Sequence, residues 1–381
     1  MTAKTYRYWP PSIPADPVTR WFFMATLVLS LGAWLTAGSA QSQDPASRPL
    51  PVVWVLATGG TISGGGPTPT SLTRYRAGTF SGDELVAAVP ALADHAVVRV
   101  EQVANVGSPN ITFDDWFTLA RRINEIFAED PDVAGVVITH GTNTIEETAY
   151  FLNLTVRHER PVVLVGAQRP ATAISADGPL NLLNAVRTAV APDARGKGVM
   201  VVMNDEINAA RDVTKTSTYR VETFNSRTLG YLGYVDADRV SFYRESTKRH
   251  TVDAEFDLTG VTRMPRVDIV YSYVEPNPVM IRALIEDGVD GIVLAGTGAG
   301  LVSAVELTAL ESVMALPSDA RPVVVRSNRT GSGRVVPLGA YDEWGMIPAD
   351  TLNPQKARVL LMLALTRTRD LDEIRRMFSE Y

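Results

Sequence analysis

The chain has 381 residues, 45% of them hydrophobic and 20% charged, which is enough for a sizeable core and long enough for two domains. Its formal charge is −6 with no long basic run, which argues against nucleic acid as a partner because phosphate neutralisation needs clustered Lys and Arg. Cysteine is absent, so a thiol nucleophile, a thiolate metal site and disulfides are all excluded.

The first forty residues read as targeting sequence. Lys4, Arg7 and Arg20 precede a charge-free apolar stretch, 21–40, that ends in Gly38, Ser39 and Ala40 and gives way to polar Gln41 and Ser42. This predicts a secretory signal over 1–40, cleaved after Ala40. An uncleaved anchor is the competing reading, since the stretch approaches the roughly 20 residues that span a bilayer. The small-residue end favours cleavage, and with it a periplasmic or secreted product without stable membrane association. Residues 41–50 form a polar leader.

Apolar runs and helical patterns then alternate. Strands are predicted at 52–57, 97–103, 133–138, 162–166 and 198–203, and helices at 81–89, 112–129, 144–156 and 180–190. In the helix 112–129, Thr112 is the N-cap and Asp115 sits at N3, with Trp116, Leu119, Ile123 and Ile126 on one face. The run at 133–138 does not alternate, as expected of a parallel strand buried on both faces. Residues 51–245 are therefore an N-terminal α/β domain with a doubly wound, flavodoxin-like parallel sheet. A polar, aperiodic stretch around 241–259 suggests a linker, placed at 246–264. The remainder, 265–381, reads as a smaller C-terminal α/β domain. Its strands fall at 267–273, 291–295 and 322–326, its helices at 278–286 and 301–315, with a last helix pair from Pro354.

Two threonines stand where apolar strands run into turns. Thr61 lies in Ala57-Thr58-Gly59-Gly60-Thr61-Ile62 and Thr142 in Thr139-His140-Gly141-Thr142-Asn143-Thr144. Hydroxyls at the carboxyl ends of parallel strands point into the crevice where open α/β sheets bind ligands. Such a pair suits nucleophilic attack on a carbonyl, and the backbone N–H of Thr142, at a helix start, suits a developing oxyanion. Two plainer readings compete. The Gly-rich turn after the first strand lacks the G-x-G-x-x-G spacing and has no phosphate-loop lysine, which disfavours a nucleotide site. Asn143 and Thr144 also suit helix capping. His140, beside Gly141 at a strand end, is expected to orient the turn. A threonine hydroxyl needs a base or proton relay, and spacing leaves two candidates: Tyr75, in a polar flap after Gly64-Gly65-Gly66, and Lys215, among threonines after a buried strand.

These motifs resemble the two signature motifs of the bacterial type II L-asparaginases, or asparaginase–glutaminases. The likeness extends to Gly166-Ala167-Gln168-Arg169-Pro170, Asp212-Val213-Thr214-Lys215-Thr216 and Thr351-Leu352-Asn353-Pro354-Gln355-Lys356, and so covers nearly everything after residue 50. The resemblance implies an exported amidohydrolase that converts L-asparagine to L-aspartate and ammonia through a threonine nucleophile, with no metal or organic cofactor. It also implies a homotetramer with sites at subunit interfaces. By motif position it makes Thr61 the nucleophile, Tyr75 its flap partner, Thr142 and Lys215 a second hydroxyl–amine pair, and Ser108 the ligand of the substrate carboxylate.

The departures cluster on the groups that would hold the substrate α-amine. Asn143 stands where the family has aspartate, and Pro109 where glutamine is expected. Gly298-Ala299-Gly300-Leu301 replaces a Gly-Asn-Gly-Asn segment, and Leu338 falls near the acidic residue lent by a neighbouring subunit. An ammonium buried without carboxylate partners is costly. A second expectation is therefore an amidohydrolase of the same fold acting on an amide without a free α-amine. A non-catalytic periplasmic binding protein on this scaffold is a third, disfavoured by the presence of Thr61, Tyr75, Thr142 and Lys215.

Overall fold

The structure, a computed structural model, describes residues 49–314, 316–317 and 320–381. The expected signal 1–40, leader residues 41–48 and the helix end at Ala315 lie outside the described residues. Leu50, at the end of the leader, is exposed and in no regular element.

The larger sheet begins with β1 (Val52–Gly59), followed by α1 (Gly82–Ala87), β2 (Val97–Val106), α2 (Phe113–Glu129) and β3 (Val133–Thr139). It continues through α3 (Ile145–Thr155), β4 (Val162–Val165), α4 (Gly178–Val190) and β5 (Val199–Met203). These five strands run parallel in the order β2-β1-β3-β4-β5. Side chains alternate across each strand, so both faces are apolar. Val53, Val55, Val137 and Val163 pack with Leu85 of α1 and Leu182 of α4. Leu56, Val136, Ile138 and Leu164 pack with Leu119 of α2 and Phe151 of α3 on the other face. α2 begins at the expected cap: the Thr112 hydroxyl accepts from the Asp115 N–H at 3.2 Å, and the Asp115 carboxylate accepts from the Thr112 N–H at 2.8 Å.

Beyond β5 the sheet turns antiparallel, through β6 (Glu206–Ala209), then β9 (Gly233–Val235) and β10 (Val240–Phe242), with a separate ribbon of β7 (Thr214–Lys215) and β8 (Phe224–Asn225) between them. The sequence reading of a doubly wound parallel sheet holds for its five main strands and did not include these short ones. They are two to four residues long, too short for a period to register, and tertiary neighbours define them. Residues 246–264 contain one short 3-10 turn and no strand, yet Ala254, Phe256 and Met264 are buried in the core. The Glu255 N–H donates to the Tyr381 hydroxyl at 2.9 Å, tying the segment to the chain's last residue.

The second sheet is parallel throughout. Its elements are β11 (Val267–Tyr271), α5 (Val279–Glu286), β12 (Gly291–Gly296), α6 (Ala304–Met314), β13 (Val323–Asn328), α7 (Gly339–Asp342), β14 (Ile347–Pro348), α8 (Pro354–Leu365) and α9 (Leu371–Glu380), with strand order β11-β12-β13-β14. α5 and α6 cover one face. α8 covers the other and also packs on α3, which makes it buried nearly all round. The larger and smaller sheets thus share one core through α3 and α8.

Candidate active site

In the 2-1-3-4-5 order, the chain leaves β1 toward one face and β3 toward the other, so a crevice opens at their carboxyl ends. Thr61 follows β1 and Thr142 follows β3. Both line a cavity of about 660 Å³, together with Tyr75, Asn143, Glu146, Gln168, Lys215 and residues Leu72, Thr73 and Thr216, Ser217, Thr218 and Tyr219.

Glycine lets the strand-end loops meet. Gly60 has φ 86° and ψ −170°, and a Cβ there would lie 2.4 Å from the Gly141 backbone. Its permissiveness serves contact between the β1 and β3 loops. The flap is also anchored. Gly65 and Arg76 exchange two backbone hydrogen bonds, each 3.0 Å, and the Tyr75 ring lies against Gly64, where a Cβ would come within 2.8 Å. That seating puts the Tyr75 and Thr61 hydroxyls 2.7 Å apart.

Lys215 Nζ donates to Thr142 Oγ1 at 2.8 Å and to Asn143 Oδ1 at 3.0 Å. Neither Asn143 nor Thr144 caps α3 through its side chain: Thr144 Oγ1 donates to the Ser108 carbonyl at 2.8 Å. Lys215 is itself positioned from behind. Lys356, fully buried in α8, donates from Nζ to the Arg211 carbonyl at 2.8 Å and also to the Val213 carbonyl, pinning the chain that enters β7. Burial pushes the Lys356 ammonium down to about 8, while the Glu146 and Asp212 carboxylates oppose that shift. Burial likewise pushes the Lys215 ammonium below its ordinary value, opposed by the Glu146 carboxylate.

His140 orients the turn, as its context suggested. It is buried, and desolvation lowers its pKa to about 4, leaving a neutral ring. Nδ1–H then donates to the Gly141 carbonyl at 2.8 Å, and Nε2 accepts from the Thr148 hydroxyl at 3.0 Å, which in turn accepts from Trp116 Nε1 at 2.8 Å.

Ser108 is buried beneath the loop, and its Oγ accepts from the Asn143 N–H at 3.1 Å. Pro109 is exposed, and neither it nor Ser108 lines the cavity wall. Leu338 is 45% exposed. Glu146, in the first turn of α3, was missed by the sequence reading. It is 5% exposed and accepts from Asn353 Nδ2 at 3.0 Å and Gln355 Nε2 at 3.1 Å. Among the described residues, no cluster of His and carboxylates could hold a metal ion.

Residues 52–248 match the family described as Asparaginase, N-terminal, and residues 266–378 match the Glutaminase/Asparaginase C-terminal domain. The chain is 48% identical to L-asparaginase 2 of Bacillus subtilis (strain 168), over 91% of this chain and 89% of that protein. It is 45% identical to "Probable L-asparaginase periplasmic" of Haemophilus influenzae, over 87% of this chain and 93% of that one. A crystal structure titled "Probable Cytoplasmic L-asparaginase from Campylobacter jejuni" superposes with a TM-score of 0.83 at 46% identity, covering 88% of this chain and all of the other. With both family models matched over most of its length and relatives sharing 45–48% of their residues with it, the chain belongs to the asparaginase family.

Proposed function

We propose that the protein hydrolyses the side-chain carboxamide of L-asparagine, giving L-aspartate and ammonia. One observation carries the reading: two hydroxyl pairs, Thr61 with Tyr75 and Thr142 with Lys215, border one cavity at the switch point of the sheet. Thr61 Oγ attacks the amide carbon, and backbone N–H groups near Thr142 stabilise the oxyanion. The C–N bond breaks and the leaving nitrogen takes a proton and departs as ammonia. Water then adds to the acyl-threonine ester, releasing the acid and restoring Thr61. The Thr142–Lys215 pair relays protons in both halves: the two groups are hydrogen-bonded, and burial lowers the lysine pKa below its ordinary value, which favours the neutral amine that can accept a proton. Ser108 is assigned to the substrate carboxylate by the family resemblance.

A second reading is favoured by one feature. Asn143 is uncharged and its Oδ1 already accepts from Lys215, so it offers a substrate ammonium no counter-charge. An amide without a free α-amine avoids that penalty. Ammonia release should be measured with L-asparagine, L-glutamine and succinamic acid, the des-amino analogue of asparagine. The first reading expects turnover of L-asparagine. The second expects succinamic acid to be preferred, and Asn143→Asp to shift the kcat/KM ratio toward L-asparagine by roughly tenfold or more. No ammonia from any amide with folded protein would overturn both.

Export and tetramer formation complete the proposal. Export rests on the charged, then apolar, then small-residue order of residues 1–40 and on the Haemophilus relative's title; the Campylobacter title names the opposite compartment, so the fold itself carries no address. N-terminal sequencing with light scattering on protein from the native host should find Gln41 first and a four-chain mass. An intact Met1 in a membrane fraction would reject cleavage, and a monomer would reject the assembly.

A further inference from the structure

Asn143 leaves Lys215 without a carboxylate in direct contact, yet the lysine does not face a neutral wall. Glu146, in the first turn of α3, lines the same cavity. Its two oxygens accept from the side-chain amides of Asn353 and Gln355, which enter from the start of α8. The Asn353 amide also lies 3.4 Å from Thr214 Oγ1, next to Lys215 in β7. Both donors are neutral, and among the described residues no cation forms an ion pair with Glu146. Its negative charge acts on the cavity and, behind it, on the buried Lys356 ammonium.

We propose that Glu146 is the counter-charge of Lys215, a positioning residue that acts through the lysine. The proposal rests on the reading of Lys215 as proton relay. Asn143 then supplies a hydrogen bond that aims Nζ, while Glu146 supplies the charge that keeps the amine able to hold a proton. The C-terminal domain takes part by fixing the carboxylate from across the shared core.

The other charged and titratable groups around this pair are few. Tyr75 and Tyr219 line the cavity, Glu147 lies beside Glu146 on α3, and Lys356 stands behind it with Arg211 and Asp212. Of these groups, Glu146 is the one whose field opposes the effect of burial on Lys215. Removing its charge should make Lys215 lose its proton more easily.

The test is the Glu146→Gln variant, with two readouts on the full-length protein. The first is the pH dependence of kcat for the amide turned over by the wild type. A relay that needs the neutral amine becomes active as pH rises through the lysine pKa, so Glu146→Gln should move the rising limb to lower pH by roughly 0.5–1 unit. Glu146→Asp should leave it near the wild-type position, and Asn143→Asp combined with Glu146→Gln should return it upward. The second readout is NMR titration of the Lys215 ε-methylene, assigned by its loss in Lys215→Met, and it needs no turnover. An unmoved titration in folded Glu146→Gln overturns the proposal, as does a uniform loss of kcat with the limb unshifted. Glu146→Ala is read in the same way if the glutamine variant does not fold. A wild type that hydrolyses no amide defeats the amidase reading alone, and the titration still decides the role of Glu146.

Discussion

Thr61→Ala should lower kcat for amide hydrolysis on the order of 10⁴-fold or more, as removal of a covalent nucleophile does elsewhere. Fold and stability should hardly change. Thr61 is the first residue of a short 3-10 turn, and its side chain makes one hydrogen bond, to Tyr75. Circular dichroism and urea unfolding would verify the unchanged fold, and single-turnover ammonia release would measure the loss. A folded variant with full activity removes Thr61 from the reaction and leaves Thr142 as the hydroxyl to consider. Partial loss, tenfold or less, would argue for a positioning role instead.

Gly60→Ala should be the most damaging small substitution near the site, at about 3–5 kcal/mol in urea unfolding. Two costs combine. The backbone at φ 86° and ψ −170° lies where side chains are essentially not tolerated, and the new methyl would sit 2.4 Å from the Gly141 backbone. A backbone neighbour cannot rotate aside as a side chain can, so the β1 and β3 loops must separate. Activity should fall with stability, because the same displacement parts Thr61 from Thr142. Gly196→Ala is the control. It also has positive φ, 75°, but nothing lies within 4 Å of the added Cβ, so about 1–2 kcal/mol of backbone strain is expected. Equal losses in the two variants would mean that loop contact at Gly60 contributes little.

The parallel part of the fold was legible because its strands are buried on both faces. Runs such as residues 133–138 are apolar without interruption, and only a doubly covered strand needs that. The cap at Thr112 was legible because its chemistry is local, completed within three residues. The short antiparallel strands were not. β6, β9 and β10 have too few residues to carry a period, and they exist because β5 offers an edge.

The same division runs through the site. Thr61 and Thr142 could be named from the sequence because a strand end followed by glycine and a hydroxyl is a local pattern that puts oxygen in the crevice. Spacing could only nominate Tyr75 and Lys215 as partners and the family resemblance paired them with Thr61 and Thr142, but the contacts themselves depend on the seating of the flap on Gly64 and on Lys356 behind β7. Glu146 is the extreme case. Asn353, which holds its carboxylate, lies 207 residues further along the chain, and no local period reports a contact across that separation. Sequence alone thus determined the order of the longer parallel strands and their helices and the positions of the two hydroxyls, because apolar burial and strand-end turns are properties of short segments. The short antiparallel strands, the contact geometry of each hydroxyl and the charge that faces the lysine were decided only by tertiary structure, because edge pairing, hydrogen bonds and electrostatic fields depend on distances that folding alone creates.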